Sequence, residues 1–275
     1  MNVRAALALA PLLFAKSKRS TTNGRGSVNS KVSIAVLLFV TVMATGTAGA
    51  VCTNATLKGV YGFTSTGLNG SGVPASNVTQ VTADGNGNLT GHTTKSINGT
   101  IVAFATTGTY QLSANCTGSA TLTNQDGQTE HDNIVLNNGN KGGFLIQTDS
   151  NHVESAIAAA QGLATCTDLG VKHTYSLEAT GIHIGVGQIA AVGQLALNGT
   201  GSLKGTITIS ANGSIASSLP VTGSYQINSN CTGTATFTPQ GQSAINISIV
   251  IVNAGKELMF LETDNNTIVA GTLQQ

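Results

Sequence analysis

Asn198-Gly-Thr-Gly-Ser-Leu-Lys-Gly-Thr-Ile-Thr-Ile-Ser-Ala-Asn-Gly213 holds a turn, a strand and a second turn. Between the two Asn-Gly pairs, Thr206, Thr208 and Ser210 alternate with Ile207 and Ile209. That is the period-2 pattern of a strand with one buried face. Asn-Gly accepts the positive φ angles of a tight hairpin turn, so the strands on either side of it pair antiparallel. The stretch has an earlier version 114 residues upstream, Asp84-Gly-Asn-Gly-Asn-Leu-Thr-Gly91 followed by Asn98-Gly99.

The correspondence extends outward from there. Cys52-Thr-Asn-Ala-Thr-Leu-Lys-Gly-Val-Tyr61 returns as Cys166-Thr-Asp-Leu-Gly-Val-Lys-His-Thr-Tyr175. Thr107-Gly-Thr-Tyr-Gln111 returns as Thr222-Gly-Ser-Tyr-Gln226, and Asn115-Cys-Thr-Gly118 as Asn230-Cys-Thr-Gly233. The offset stays at 114 or 115 residues, so the chain is one unit written twice, over 51–161 and 166–275. A repeat of this kind outranks every finer pattern in deciding architecture.

Strands are expected in the first unit near 57–67, 76–84, 88–97, 100–113, 117–123, 131–137, 142–149 and 153–160. Glu154–Ala160 is Ala-rich enough to suggest a helix. Its partner Thr267–Leu273 favours a strand, and the partner decides the reading. Short links between consecutive strands give an up-and-down meander, and closing it removes both open edges. The expected fold is therefore all-β, two tandem antiparallel up-and-down barrels of about eight strands each. A β-sandwich is the alternative, if the connection at 67–76 crosses over. An eight-stranded barrel is either filled by side chains or holds one small ligand.

Composition narrows function. Charged residues make up 8% of the chain, against roughly 25% in an average domain. All six Lys/Arg of residues 1–50 precede the first acid, whereas residues 51–275 carry six Lys, no Arg and eleven acids, a net charge of −5. A chain with that balance is a poor candidate for binding phosphate backbones, so nucleic acid is not an expected partner.

Residues 1–50 read as a leader and signal peptide. Lys31 precedes an apolar run, Val32–Ala44, and Ala48 and Ala50 supply the small-residue cleavage site. The run is shorter than the roughly 20 residues a membrane helix needs. No stable membrane span is expected after processing, and the location is secreted, periplasmic or cell-surface. Four Cys in an exported chain permit three pairings, and the duplication selects Cys52–Cys116 and Cys166–Cys231. Each closes a loop long enough to stabilise by about 4 kcal/mol.

The motifs Cys52–Phe63, Asp84–Gly91 and Gly108–Gly118 resemble those of a group of uncharacterised secreted bacterial tandem-repeat proteins. The second copy departs from their pattern at Val171-Lys-His-Thr-Tyr175. In general plan the units are similar to lipocalin-like and allene-oxide-cyclase-like barrels. The first resemblance implies export and no particular activity; the second implies a barrel able to hold a small molecule, and fold alone does not fix function.

No catalytic constellation is evident, and no cofactor or metal is expected. Asp84–Asn88 begins like a calcium loop, but Leu89 and Lys95 stand where the pattern needs Gly and Glu, so the stretch reads as a hairpin turn. Glu130-His131-Asp132, and His152 with Glu154, place acids beside imidazoles in the first unit only. Alternation points Glu130 and Asp132 to one face and His131 to the other, which reads as a solvated polar strand. The candidate ligand-binding residues are the paired tyrosines Tyr61, Tyr175, Tyr110 and Tyr225, which join apolar area to a hydroxyl. The leading reading is a secreted or envelope barrel with a binding or structural role, its partner a small apolar ligand or an envelope component. The alternative is a barrel isomerase or cyclase on an apolar small molecule, which requires a cavity with a Tyr and an acid facing inward.

Overall fold

The structure is a computed structural model and describes residues 51–137 and 141–275. The leader and signal peptide expected over 1–50 lie outside the described residues. In the first unit the strands are β1 (Gly59–Leu68), β2 (Pro74–Ala83), β3 (Asn88–Ile97), β4 (Thr100–Leu112), β5 (Thr117–Asn124), β6 (Thr129–Leu136), β7 (Gly142–Gln147) and β8 (Val153–Ala160). The second unit has β9 (Thr174–His183), β10 (Gly187–Leu197), β11 (Ser202–Ala211), β12 (Ser214–Ile227), β13 (Thr232–Pro239), β14 (Ile245–Val252), β15 (Glu257–Glu262) and β16 (Thr267–Gln274). Each set pairs antiparallel in sequence order, and its last strand closes on its first. The fold is all-β, two closed up-and-down barrels. β1 and β2 pair from Gly59↔Ala83 to Leu68↔Pro74 across a hairpin loop. The connection is no crossover, so the sandwich alternative falls.

Glu154–Ala160 forms a strand, as its partner indicated. Asp84–Asn88 is a hairpin turn: the Asp84 carboxylate accepts the backbone N–H groups of Asn86 and Asn88. Hydrogen bonds, the side chain of Asn88 first, hold that carboxyl down at about 2. Both disulfides are formed, Cys52–Cys116 and Cys166–Cys231. Each ties the start of its barrel to the turn before the fifth strand. No helix among the described residues is long and apolar enough to cross a membrane.

The barrels pack through their outer walls. Val78 and Ala159 of the first barrel meet Val250, Val252, Met259, Leu261 and Ala270 of the second. Gly62 on β1 permits this approach, since a Cβ there would lie 2.6 Å from the Cγ1 atoms of both Val250 and Val252. Gln80 Nε2 donates to the Asn230 carbonyl at 2.6 Å, and the Asn266 N–H to the Gly99 carbonyl at 2.8 Å. Strands β14 and β15 are consequently buried on both faces: Ile251 and Leu258 point into the second core while Val252, Met259 and Leu261 point at the first barrel. Two-sided burial explains their nearly unbroken apolar sequence.

Candidate functional site in the first barrel

Inward positions of the two barrels correspond strand by strand, yet they hold different chemistry. In the second barrel, Ala191, Ile207, Ile209, Val221, Ile245, Ile247 and Val269 belong to or pack against one apolar core. Gly193 makes room for this filling, because a Cβ there would meet Ile207 Cγ2 at 2.6 Å. At the register-equivalent places the first barrel has Asn77, Thr93, Lys95, Thr106, Glu130, Asp132 and Glu154, with Thr79 opposite Gly193. Eight strands leave just enough interior to fill or to keep open. The first barrel keeps it open.

A cavity of about 690 Å³ occupies that half of the first barrel and reaches the loops at 69–71, 124–128 and His152. This lies within the usual range for small-molecule sites. One wall is a chain of hydroxyls: Thr79 Oγ1 donates to Thr93 Oγ1 at 3.0 Å, and Thr93 and Thr106 are 3.0 Å apart. Beside it lies a charged cluster. Lys95 Nζ lies 3.3 and 3.4 Å from the two Glu154 carboxylate oxygens and 3.8 Å from Glu130. Ser65 donates to Glu154 at 3.3 Å, and His152 Nδ1 is 2.9 Å from Gln147 Oε1. Phe63, Phe104, Leu122 and Val102 add apolar surface.

Asp132 stands apart from this pairing. It is 6% exposed and has no hydrogen-bond or ion-pair partner among the described residues. Its carboxyl is pushed up to about 7, by burial first and then by the charges of Glu130, Asp149 and Glu154 against the pull of Lys95. Burial likewise raises the Glu130 carboxyl. No three or more acid, imidazole or thiol groups among the described residues are grouped so as to hold a metal ion.

The solvated-strand reading of Glu130 and Asp132 is therefore corrected. They do share a face, but that face is the barrel interior. His131 points outward, where its ring meets Asp149 at 2.7 Å. The usable signal was the contrast between copies: Glu130 and Asp132 face in where the second copy has Ile245 and Ile247, and Lys95 where it has Ile209.

The four candidate tyrosines sit at the other end. The Tyr110 hydroxyl accepts from the Gly85 N–H at 3.1 Å and donates to the Asn54 carbonyl at 2.8 Å. The Tyr225 hydroxyl accepts from the Gly199 N–H at 2.7 Å and donates to the Asp168 carbonyl at 3.3 Å. Each thus fastens a hairpin turn to a short 3-10 turn, Asn54–Leu57 or Asp168–Val171, that covers the barrel end. The Tyr175 hydroxyl donates to the Gly255 carbonyl at 2.8 Å, and burial pushes it up to about 12. Tyr61 and Tyr110 line a small apolar void of about 60 Å³ below the main cavity.

No family model matches the chain, and no curated protein matches it. Among solved structures it is similar to a Nitrosomonas europaea protein described as a "putative AttH", at 8% identity and a TM-score of 0.24, over 79% of this chain and 92% of that one. At that identity and superposition the likeness carries no functional information. The general barrel plan implied by the sequence stands, with no particular family attached to it.

Proposed function

We propose that this chain is an exported binding protein in which the first barrel receives a small molecule and the second is a filled scaffold that braces it. The observation that carries this reading is the opposition between copies: one fold, one register, a 690 Å³ cavity with polar and charged groups on its walls in the first barrel and an apolar core at the same positions of the second. A barrel needs no buried hydroxyl chain or charged cluster to stand, as the second barrel demonstrates. Polar groups that cost desolvation and leave space are consistent with a bound partner. Two disulfides and the signal-peptide pattern support export.

The chain contains no Trp, which supplies a clean test. Phe104→Trp puts a single reporter on the cavity wall, and Leu219→Trp puts one at the matching place in the second barrel. Titration with fractions of a small-molecule extract is expected to shift Phe104→Trp emission and leave Leu219→Trp unchanged. An equal response from both reporters, or none from either, would refute the division of labour.

A second reading draws on one observation, the inward Asp132 with its carboxyl near neutrality, a value suited to proton transfer. It is the isomerase or cyclase alternative, with the acid facing in but without the inward Tyr expected for it, since no Tyr among the described residues lines the main cavity. Turnover that Asp132→Asn abolishes, with Phe104→Trp binding intact, would establish it.

A further inference from the structure

Charge around the first-barrel cavity is lopsided. Lys95 is the one Lys or Arg among the described residues on its walls, whereas Asp126, Glu130, Asp132 and Glu154 line the cavity or the void beneath it. Lys95 is committed to Glu154, whose side chain is 2% exposed, and reaches Glu130 at 3.8 Å. Asp132 has no hydrogen-bond or ion-pair partner of its own among the described residues and feels Lys95 only at a distance. The void that Glu130, Asp132 and Glu154 share is about 10 Å³, room for one water-sized group, and it shares Phe63, Glu130 and Gln147 with the main cavity. Above it the walls turn apolar at Phe63, Leu122, Phe104 and Val102.

A largely buried carboxylate without a hydrogen-bond partner is unfavourable, and a bound cation relieves it. An anionic ligand would find its one available cation already paired and three or four acids facing it. A neutral apolar ligand would leave Asp132 as it is. We propose that the first barrel binds an amphipathic organic cation, with a primary ammonium group seated between Asp132 and Glu130 and an apolar body lying toward Phe104 and Val102. This rests on the binding-barrel reading and names its ligand class.

Proton linkage gives the proposal a second signature. Without ligand, Asp132 is partly protonated at neutral pH, because burial and the facing charges of Glu130, Asp149 and Glu154 outweigh Lys95. A cation beside it reverses that balance. Binding then releases a proton, and affinity falls about tenfold per pH unit as pH drops below the Asp132 value. His152, at the rim beside Gln147, is the remaining titratable group facing this cluster.

The experiment is calorimetric titration of the full chain, and of its Phe104→Trp variant by fluorescence, with hexylammonium, hexanol and hexanoate between pH 5.5 and 8.5. Expected is saturable one-to-one binding of hexylammonium alone. Heats measured in two buffers of different ionisation enthalpy should show proton release, and Asp132→Asn should lower affinity at least tenfold at pH 8 and abolish that release. If Asp132→Asn fails to fold, the wild-type buffer comparison and Glu130→Gln decide the matter. Tighter binding of hexanol or hexanoate at the Phe104→Trp site overturns the ligand class and leaves the binding barrel standing. Hexylammonium binding that Asp132→Asn leaves untouched, or that calcium ions displace one for one, overturns the class as well. No response to any of the three, with none to the extract fractions, overturns both readings.

Discussion

Lys95 Nζ lies 3.3 Å from Glu154 Oε1 inside the first barrel, at positions the second barrel gives to Ile209 and Val269. Removing Lys95 leaves Glu154 buried and unpaired, and removing Glu154 leaves Lys95 with only Glu130 at 3.8 Å; breaking such a pair costs about 3–5 kcal/mol, while replacing both members by apolar residues of fitting shape is close to neutral. Lys95→Met and Glu154→Gln should each destabilise strongly in urea unfolding followed at Phe104→Trp. The double variant Lys95→Ile/Glu154→Val, copied from the second barrel, should regain most of the loss. Additive losses in the double variant would mean that the pair is not the unit proposed.

Asp132 makes stability depend on pH with a definite sign. Its folded-state value, about 7, lies above the ordinary 3.8, so the folded chain holds a proton that the unfolded chain releases. The associated stability is fully present below about pH 4 and is lost as pH rises through 7. Glu262, pushed up to about 7 by burial and then by Asp264, acts in the same window in the second barrel. Asp132→Asn should flatten the decline and raise stability at pH 8 by roughly 1–4 kcal/mol. A wild-type melting temperature that rises from pH 5 to pH 8, with no gain from the substitution, would contradict this.

Much of the fold is legible because it is local or repeated. Asn98-Gly99 and Asn212-Gly213 place hairpin turns without any tertiary information, and Ile207 with Ile209 exposes the strand period. The duplication reduces three disulfide pairings to one. The cavity is harder to see, because alternation separates the two faces of a strand without saying which is inside. Glu130 and Asp132 look like a wet surface until closure turns their face inward. The outer burial of Val252 and Met259 is likewise invisible locally, since it comes from the other barrel.

The tyrosine latches give a paired prediction. Tyr110→Phe and Tyr225→Phe each unfasten a hairpin from its covering turn by removing one donated and one accepted hydrogen bond. Each should cost about 1–3 kcal/mol by thermal or urea unfolding. Neither should shift Phe104→Trp emission on ligand addition, because the latches lie at the far end of the barrel. A selective loss of binding in Tyr110→Phe would give that residue a ligand-contacting role.

Gly62→Ile tests the packing of the two walls. Its side chain would enter the space held by Val250 and Val252, and overpacking of this kind costs about 1–3 kcal/mol or forces the surfaces apart. Hydrogen exchange at Asn266, whose N–H is bonded to the Gly99 carbonyl, should accelerate. Unchanged protection there would show that the contact tolerates the added volume.

Peptide mapping without reductant should join 52 to 116 and 166 to 231. Breaking the first bond by Cys52→Ala/Cys116→Ala should destabilise by about 4 kcal/mol. A linked 116–166 peptide in the oxidised chain would contradict the structure.

The two-sided burial of β14 and β15 bears on how the chain is made. Domains of a chain delivered N-terminus first form in that order. The first barrel therefore presents Gly62, Val78, Gln80 and Ala159 to water before its neighbour exists, a surface of small and mixed side chains. The bulkier Val250, Val252, Met259 and Leu261 are synthesised last, when their cover is already in place. The reverse order would leave the greasier wall waiting, so the arrangement of the copies along the gene shields the segment with most to lose from early exposure.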